Sequence, residues 1–252
     1  LQQRWQRREI CKCGKNILKV CFQDLVKFWE KVRKIFSYFL LTIVTVNWFS
    51  DDLTATLDAL RARRRGRMIT ALILLAVQGA LGAFDTLYYH EWKARLPGRV
   101  PGTRPELLLH AARDFFYALL FATLPWLAWR GAWAAVLAGV ILAEILITLA
   151  DFVVEDRVRA PLGGVFPGER CTHALMALLY GAVLAHVLPA LLAGWREPTG
   201  LVLAPVGVPG ALRTLLGLLA LGVFASGVRD LAAALGLPGA RWPWALGAGA
   251  SR

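Results

Sequence analysis

The sequence predicts an all-α, polytopic integral membrane protein with a five-helix core, four of whose helices form a pseudo-twofold bundle of two helical hairpins. Three observations carry this expectation. Hydrophobic residues fill 57% of the 252 positions and charged residues only 18%, against about 25% charge in an ordinary soluble domain. Several apolar runs reach the roughly 20 residues that a helix needs to cross a bilayer. Two of the predicted helices also carry the same polar residues at the same spacing, which marks an internal repeat.

Residues 1–50 differ from everything after them. They contain no Ala, no Pro, one Gly and six of the seven Lys, and ten basic against three acidic groups supply +7 of the net charge of +12. From residue 51 the chain is rich in Ala, Leu, Arg, Gly and Pro, and Lys93 is its only lysine. This contrast predicts that residues 1–50 are a basic extension of separate origin, such as a fragment or misjoined reading frame, and that residues 51–252 are the transmembrane domain. The functional alternative for the extension is an amphipathic anchor, because "VKFWEKVRKIFSYFLLTIVTVNWF" mixes basic and aromatic residues before a short apolar run. Ile35 to Phe49 is only 15 residues long, short for a span, and no small-residue cleavage site follows it.

Five helices are expected near 67–92, 106–129, 132–156, 169–194 and 210–235. The breaks "RLPGRVPGTRP", "WRGAW", "RAPLGGVFPG" and "REPTGLVLAPVGVPG" are rich in Gly, Pro and Arg. Pro105 precedes Glu106 and Gly168 precedes Glu169, so both acids fall in a first helical turn, where they complement the helix dipole. The repeat units span about 67–129 and 132–194. Glu106, His110, Ala111 and Tyr117 match Glu169, His173, Ala174 and Tyr180, and Gln78, Asp85 and Tyr89 match Glu144, Asp151 and Glu155. In membrane folds built from repeats, the functional site often lies between the copies.

At about 100° per residue, Glu106, His110, Arg113 and Tyr117 share one helical stripe, as do Glu169, His173, Met176 and Tyr180. Glu144, Asp151 and Glu155 share a stripe on the third helix, and Gln78, Asp85 and Tyr89 on the first. His90, Glu91 and Asp156 turn away and read as interface or loop groups. His186 faces elsewhere and reads as structural, and Asp114 lies off its stripe. The carboxylates near the C-terminal ends of helices 1 and 3 and the Glu/His pairs at the N-terminal ends of helices 2 and 4 must occupy one side of the membrane. Charged groups inside membranes face a bundle interior and have partners.

Carboxylates and imidazoles together suit iron, manganese or zinc. The candidate metal ligands are Asp85, Glu106, His110, Asp151, Glu169 and His173, with Glu144 and Glu155 as further ligands or proton carriers. Arg113, Tyr89, Tyr117 and Tyr180 are candidates to orient a carboxylate, donate hydrogen bonds or relay a radical; the tyrosines equally suit interfacial anchoring. At the level of ligand type this set resembles the ferritin-like di-iron carboxylate proteins, including their membrane-bound oxidase relatives, in which two helices give a carboxylate each and two give Glu-x-x-His. The resemblance implies a di-iron or dimanganese centre, with Asp85 and Asp151 as the lone carboxylates and Glu106/His110 and Glu169/His173 as the pairs. This chain departs from that pattern in having Glu-x3-His, with each Glu at the mouth of its helix.

The expected function is metal-dependent redox or oxygen chemistry on a lipophilic substrate at the membrane interface. A b-type haem held by His110 and His173 is an alternative. Two non-enzymatic readings also stand. One is a structural network in which Arg113 pairs with Asp85, Asp151 or Glu169. The other is a small transporter or proton pathway using Asp85, Glu144, Asp151 and Glu155. A shared metal requires Asp85 and Asp151 to lie within about 10 Å of the histidines, because ligand distances are near 2 Å.

The expected partners are the lipid bilayer, a lipophilic small molecule and a membrane protein. The expected location is the bacterial inner membrane. The Arg61–Arg67 cluster places the start of the first helix at the cytoplasm, while the basic loops at the other end nearly balance it. Nucleic acid is excluded, because the basic residues cluster in loops and at helix ends, where they meet lipid headgroups. Cys11, Cys13, Cys21 and Cys171 form no C-x-x-C pair, and there is no phosphate-binding loop, nucleophile elbow, zinc-protease motif or cluster of many histidines as in membrane desaturases.

Overall fold

A computed structural model describes residues 53–203 and 207–244, with side chains from residue 62 onward. The expectations for residues 1–50 lie outside the described residues. The chain divides after Asp58, and the polar residues of interest all belong to the unit from Ala59 onward.

Five α-helices run in the expected order: α1 Leu53–Phe84, α2 Arg104–Thr123, α3 Ala132–Arg159, α4 Pro167–Trp195 and α5 Gly210–Ala234. Among the described residues four helical segments are long and apolar enough to cross a membrane: Ala62–Ala94, Ala132–Leu162, Pro167–Trp195 and Gly210–Ala234. Helix α2 packs chiefly against α5 and α3. The α2–α5 contact depends on Gly227, where a Cβ would stand 3.0 Å from the Asp114 Cβ and 3.2 Å from the Ala111 carbonyl oxygen. Small residues at such crossings let helix backbones approach closely where lipid offers no hydrophobic drive for association.

Two departures from the expected elements have local causes. Helix α2 stops at Thr123 rather than near 129, since Pro125 restricts the residue before it and cannot continue the hydrogen-bond ladder. The residues beyond form a short strand, β1 Leu127–Arg130, paired antiparallel with β2 Gly200–Leu203 from Leu127↔Leu203 to Arg130↔Gly200. The fold is therefore mostly helical with a small ribbon rather than purely α. Gly131 turns the chain from β1 into α3 at φ 55°, and a side chain there would collide with Thr199. The second departure is in the first helix. After Phe84 it continues without a break as a π-helix, Asp85–Ala94, which Arg95 ends in the left-handed conformation at φ 53°, ψ 47°.

The bundle has the polarity of a membrane protein. Leu87, Leu142, Leu178, Leu218 and Leu221 are exposed on its outside, whereas Asp85, Glu106, Asp151, Arg159 and Glu169 are buried. An apolar core that includes Leu72, Leu75, Phe121, Leu137, Val187 and Leu216 fills the half next to the ribbon. Ala94, Leu96, Leu107, Ala233 and Ala234 close the opposite end. Because successive helices reverse direction, the C-terminal parts of α1, α3 and α5 meet the N-terminal parts of α2 and α4. The buried polar residues are gathered there, between the two apolar clusters. Exposed Trp133 and Trp195 mark the ribbon end and exposed Trp92 and Trp242 the other, the arrangement of aromatic belts at the two membrane surfaces.

Candidate functional site

The π-helix decides which histidines enter the site. In an α-helix Asp85 and His90 would lie about 140° apart; i→i+5 hydrogen bonding brings them to the same side. His90 is consequently buried, with Nε2 3.3 Å from Asp85 Oδ2 and 3.2 Å from Glu169 Oε1. This corrects the expectation that His90 turns away from the polar stripe. Phe84 stacks on Tyr88 at 5.3 Å and meets Tyr89 edge-on, so aromatic side chains cover the outside of the widened turns.

His90 belongs to a group of four potential ligands of two types, imidazole and carboxylate. One ligand atom each from His90, Glu155, Glu169 and His173 all fall within 4.8 Å of one another, and all four residues are buried. They come from the π-helix, α3 and α4. His173 Nε2 is 3.1 Å from Asp85 Oδ2, and its Nδ1 is 3.5 Å from Glu155 Oε2. Glu169 accepts hydrogen bonds from the Phe166 backbone N–H and the Arg159 guanidinium, so it caps α4 and joins the site together. His90 Nε2, Asp85 Oδ1 and Glu155 Oε1 are buried without a hydrogen-bond partner. Leaving a buried polar group unpaired costs roughly 1–3 kcal/mol.

His110 heads a second group. Its Nε2 is 3.3 Å from Asp151 Oδ2 and 3.9 Å from Glu106 Oε1, and its Nδ1 is 3.9 Å from Asp230 Oδ2 on α5. Arg113 donates to the same Asp151 oxygen at 2.8 Å. The His90 and His110 rings stack with centroids 4.5 Å apart, joining the two groups. Arg159, fully buried, donates from Nε to both Glu106 oxygens at 2.8 and 3.1 Å and from Nη2 to Glu169 at 3.0 Å. Glu106 and Glu169, each four residues before a histidine, thus share one guanidinium.

Nearer the bundle centre is a third polar group. Gln78 donates to the Tyr117 hydroxyl at 3.3 Å, Thr148 donates to Glu144 at 2.9 Å, and the Tyr117 and Tyr180 rings meet edge-on at 5.9 Å. A cavity of about 700 Å³ runs from this group to Asp85, Arg113 and His173. Its remaining wall is largely apolar and includes the exposed Leu87, Leu149 and Leu218, so it opens on the flank of the bundle.

The predicted site residues are therefore distributed. Glu169, His173 and Glu155 belong to the His90 group, with Asp85 bordering it; Glu106, His110 and Asp151 belong to the second group. Asp85 and Asp151 each lie close to a histidine, as a shared centre requires. Glu144, Tyr117 and Tyr180 stand apart in the third group, and Tyr89 stacks on Phe166 at the start of α4. Asp114 faces α5 beside Gly227, which accounts for its position off the stripe. Glu91 bonds Arg229 and the Trp244 indole, and exposed Asp156 pairs with Arg170, as suits interface and loop groups. His186 lies outside all three groups.

Sequence reasoning missed His90, Arg159 and Asp230. Arg159 was visible as one more turn of the Asp151–Glu155 stripe, and Asp230 as a lone acid in an apolar helix. His90 had no α-helical signal. The His90 ring stacks on His110 and meets His173 edge-on at 6.3 Å, so a third imidazole contacts both histidines named for the haem alternative.

No protein family, no curated protein and no solved structure matches this chain. The site's chemistry therefore stands on its residues. Among the described residues eight carboxylic acids are buried: Asp85, Glu106, Asp114, Glu144, Asp151, Glu155, Glu169 and Asp230. They face Arg159, the largely buried Arg113 and three histidines, so acids outnumber these cations even with every imidazole protonated. Protons or a bound cation must supply the balance, since uncompensated buried charge is prohibitively costly.

Proposed function

We propose that the protein is an integral metalloprotein of the bacterial inner membrane that holds a transition-metal ion between the π-helix, α3 and α4. It performs redox or oxygen chemistry on a lipophilic molecule admitted through the flank cavity. The observation that carries this reading is the convergence of His90, Glu155, Glu169 and His173 within 4.8 Å. Two imidazoles and two carboxylates suit iron or manganese, and zinc by the same rule. Asp85 orients His173: with Nε2–H donated to Asp85, the Nδ1 lone pair turns toward Glu155.

A single ion fits better than a di-iron or dimanganese pair. Arg159 donates to both oxygens of Glu106 but to one of Glu169, and Arg113 takes the Asp151 oxygen that faces His110, so the His110 group meets two guanidinium groups and the His90 group one. The proposed pseudo-twofold relation between the hairpins draws support from the crossed pairs Asp85–His173 and Asp151–His110, which join repeat-matched residues across the units.

Metal analysis of detergent-purified protein tests the proposal. It expects about one iron or manganese ion per chain, lost in His90→Ala and His173→Ala. Metal-free protein whose histidine variants are merely less stable would select the second reading, a structural polar network. That reading is favoured by one specific observation, the Arg159 bridge between Glu106 and Glu169.

A further inference from the structure

At the ribbon end of the bundle, a second cavity of about 480 Å³ lies between the start of α1, the end of α4 and the ribbon. Its wall is mostly apolar and includes Met68, Ile69, Leu124, Leu137, Val187 and Leu191, while β1 lines one side. The ribbon can lie this close because α4 carries Gly194 there; a Cβ would stand 2.7 Å from the Trp129 carbonyl oxygen. Among the described residues the charged groups on the wall are Arg64, Arg65, Arg130 and Glu197. Glu197 pairs with Arg64 at 3.1 Å and with Arg130 at 2.9 Å, which ties α1 to the ribbon. One carboxylate thus serves two guanidinium groups, and Arg65 adds a third, so positive charge is in surplus. The Arg64 and Arg130 side chains are 51% and 34% exposed. A guanidinium has five N–H donors, so both have donors to spare beyond Glu197. Exposed Trp133 and Trp195 set this rim at the level of the lipid headgroups.

We infer that this cavity binds one anionic phospholipid, with the phosphodiester on the arginine rim and an acyl chain in the apolar hollow. Guanidinium groups match phosphate oxygens in planar, bidentate geometry, and basic pockets between transmembrane helices take anionic headgroups. A phosphatidylcholine brings a quaternary ammonium to a rim that already has surplus positive charge. A free phosphate meets the arginines but leaves the hollow without an apolar occupant. The volume lies within the range of small-molecule sites, enough for one chain rather than a whole lipid. Arg63 and Arg67 sharpen the assignment, since they are exposed on the same turns of α1 and do not line the cavity. A lipid held here braces the junction of α1, α4 and the ribbon. The inference does not rest on the metal reading, whose residues lie in the other half of the bundle.

Native mass spectrometry of the full-length protein tests the inference, with dioleoyl-phosphatidylglycerol and dioleoyl-phosphatidylcholine added to the detergent solution. One phosphatidylglycerol is expected per chain, bound about tenfold more tightly than phosphatidylcholine. The double variant Arg64→Gln, Arg65→Gln is expected to weaken phosphatidylglycerol about tenfold, the scale of two arginines beside an anionic headgroup. The double variant Arg63→Gln, Arg67→Gln removes as much charge from the same turns and should change affinity less than about twofold, because neither residue lines the cavity. All four side chains are exposed, so both variants keep the folded bundle. Inorganic phosphate and dihexanoyl-phosphatidylglycerol in about hundredfold excess should leave the dioleoyl lipid bound, since neither fills the hollow. Equal retention of phosphatidylcholine, displacement by inorganic phosphate, or equal loss in the two double variants overturns the inference.

Discussion

His173 and His110 each stand four residues after a glutamate and seven before a tyrosine in the sequence, yet their surroundings solve the same electrostatic problem differently. Each imidazole lies against an aspartate from another helix, Asp85 in one case and Asp151 in the other. On the His110 side a built-in cation is present, because Arg113 ties down Asp151 at 2.8 Å. Met176 stands at the same spacing after His173, and Asp85 has no guanidinium hydrogen-bonded to it. Instead His90, delivered by the π-helix, and Glu155 close around His173. The His110 side meets two guanidinium groups, Arg113 and Arg159, and the His173 side only Arg159 through Glu169, so the second side is the one whose donor atoms would take a cation from solution. The Glu/His pairs are common to both sides, and Arg113 and His90, which have no equivalent at the same spacing, make the difference between them.

The sharpest way to break this comparison is to remove the residue both sides share. Arg159→Met leaves Glu106 and Glu169 buried with no guanidinium, and breaking a buried ion pair by removing one partner costs about 3–5 kcal/mol. The expected outcome is severe loss of folded protein, read as detergent-extracted yield and thermal unfolding. An Arg159→Met variant as stable as wild type would mean that the two glutamates are held as neutral acids, and the charge argument above would fail.

The next largest effect separates the two sides directly. His90→Ala and His173→Ala should weaken metal binding by more than about 100-fold, whereas His110→Ala should leave stoichiometry intact. Chelation of the wild type should lower its stability by about 2.7 kcal/mol relative to protein with free metal at a hundred times its Kd. If His110→Ala releases the metal as completely as His173→Ala, the two sides form one centre and the asymmetry argued here is wrong.

How much of this was readable beforehand depends on backbone geometry. The five helices, their breaks and the gathering of polar residues at one end follow from hydropathy, proline and glycine positions, and reversal of direction at each loop. Asp85, Asp151, His110 and His173 were visible because α-helical periodicity holds along α2, α3, α4 and the end of α1. His90 was not, because that periodicity fails at Asp85, where the helix widens to i→i+5 bonding. Nothing in the apolar pattern announces such a widening, and a single changed turn rotates every later side chain. The β-ribbon was hidden for a related reason. "LAWR" is apolar and aromatic enough for either a helix end or a strand, and its partner lies some seventy residues away.

Arg113 tests the comparison at smaller amplitude. Arg113→Met gives the His110 side the residue that stands at the same spacing after His173. It removes a hydrogen bond between charged groups that is mostly shielded from solvent, so a stability loss of about 1.5–3 kcal/mol is expected. Metal content on the His173 side should not change. Arg113→Lys should recover only part of the loss, because an ammonium cannot reproduce the planar fork of the guanidinium. Loss of metal in Arg113→Met would show that Arg113 also sets the His90 group.

The smallest effect concerns α5. It touches the His110 group through Asp230 and through the close crossing at Gly227. An alanine methyl there would stand 3.0 Å from the Asp114 Cβ and 3.2 Å from the Ala111 carbonyl oxygen, so the helices must part by a few tenths of an ångström. Such overpacking costs about 1–3 kcal/mol, and the lower end is expected because a single methyl is added to a contact between two helices. Gly227→Ala should therefore lower the unfolding temperature modestly, move α5 and Asp230 away from His110, and leave metal stoichiometry untouched. A metal loss in Gly227→Ala comparable to that in His173→Ala would couple α5 to the His173 side, and the division between a side that meets two guanidinium groups and a metal-binding side would have to be abandoned.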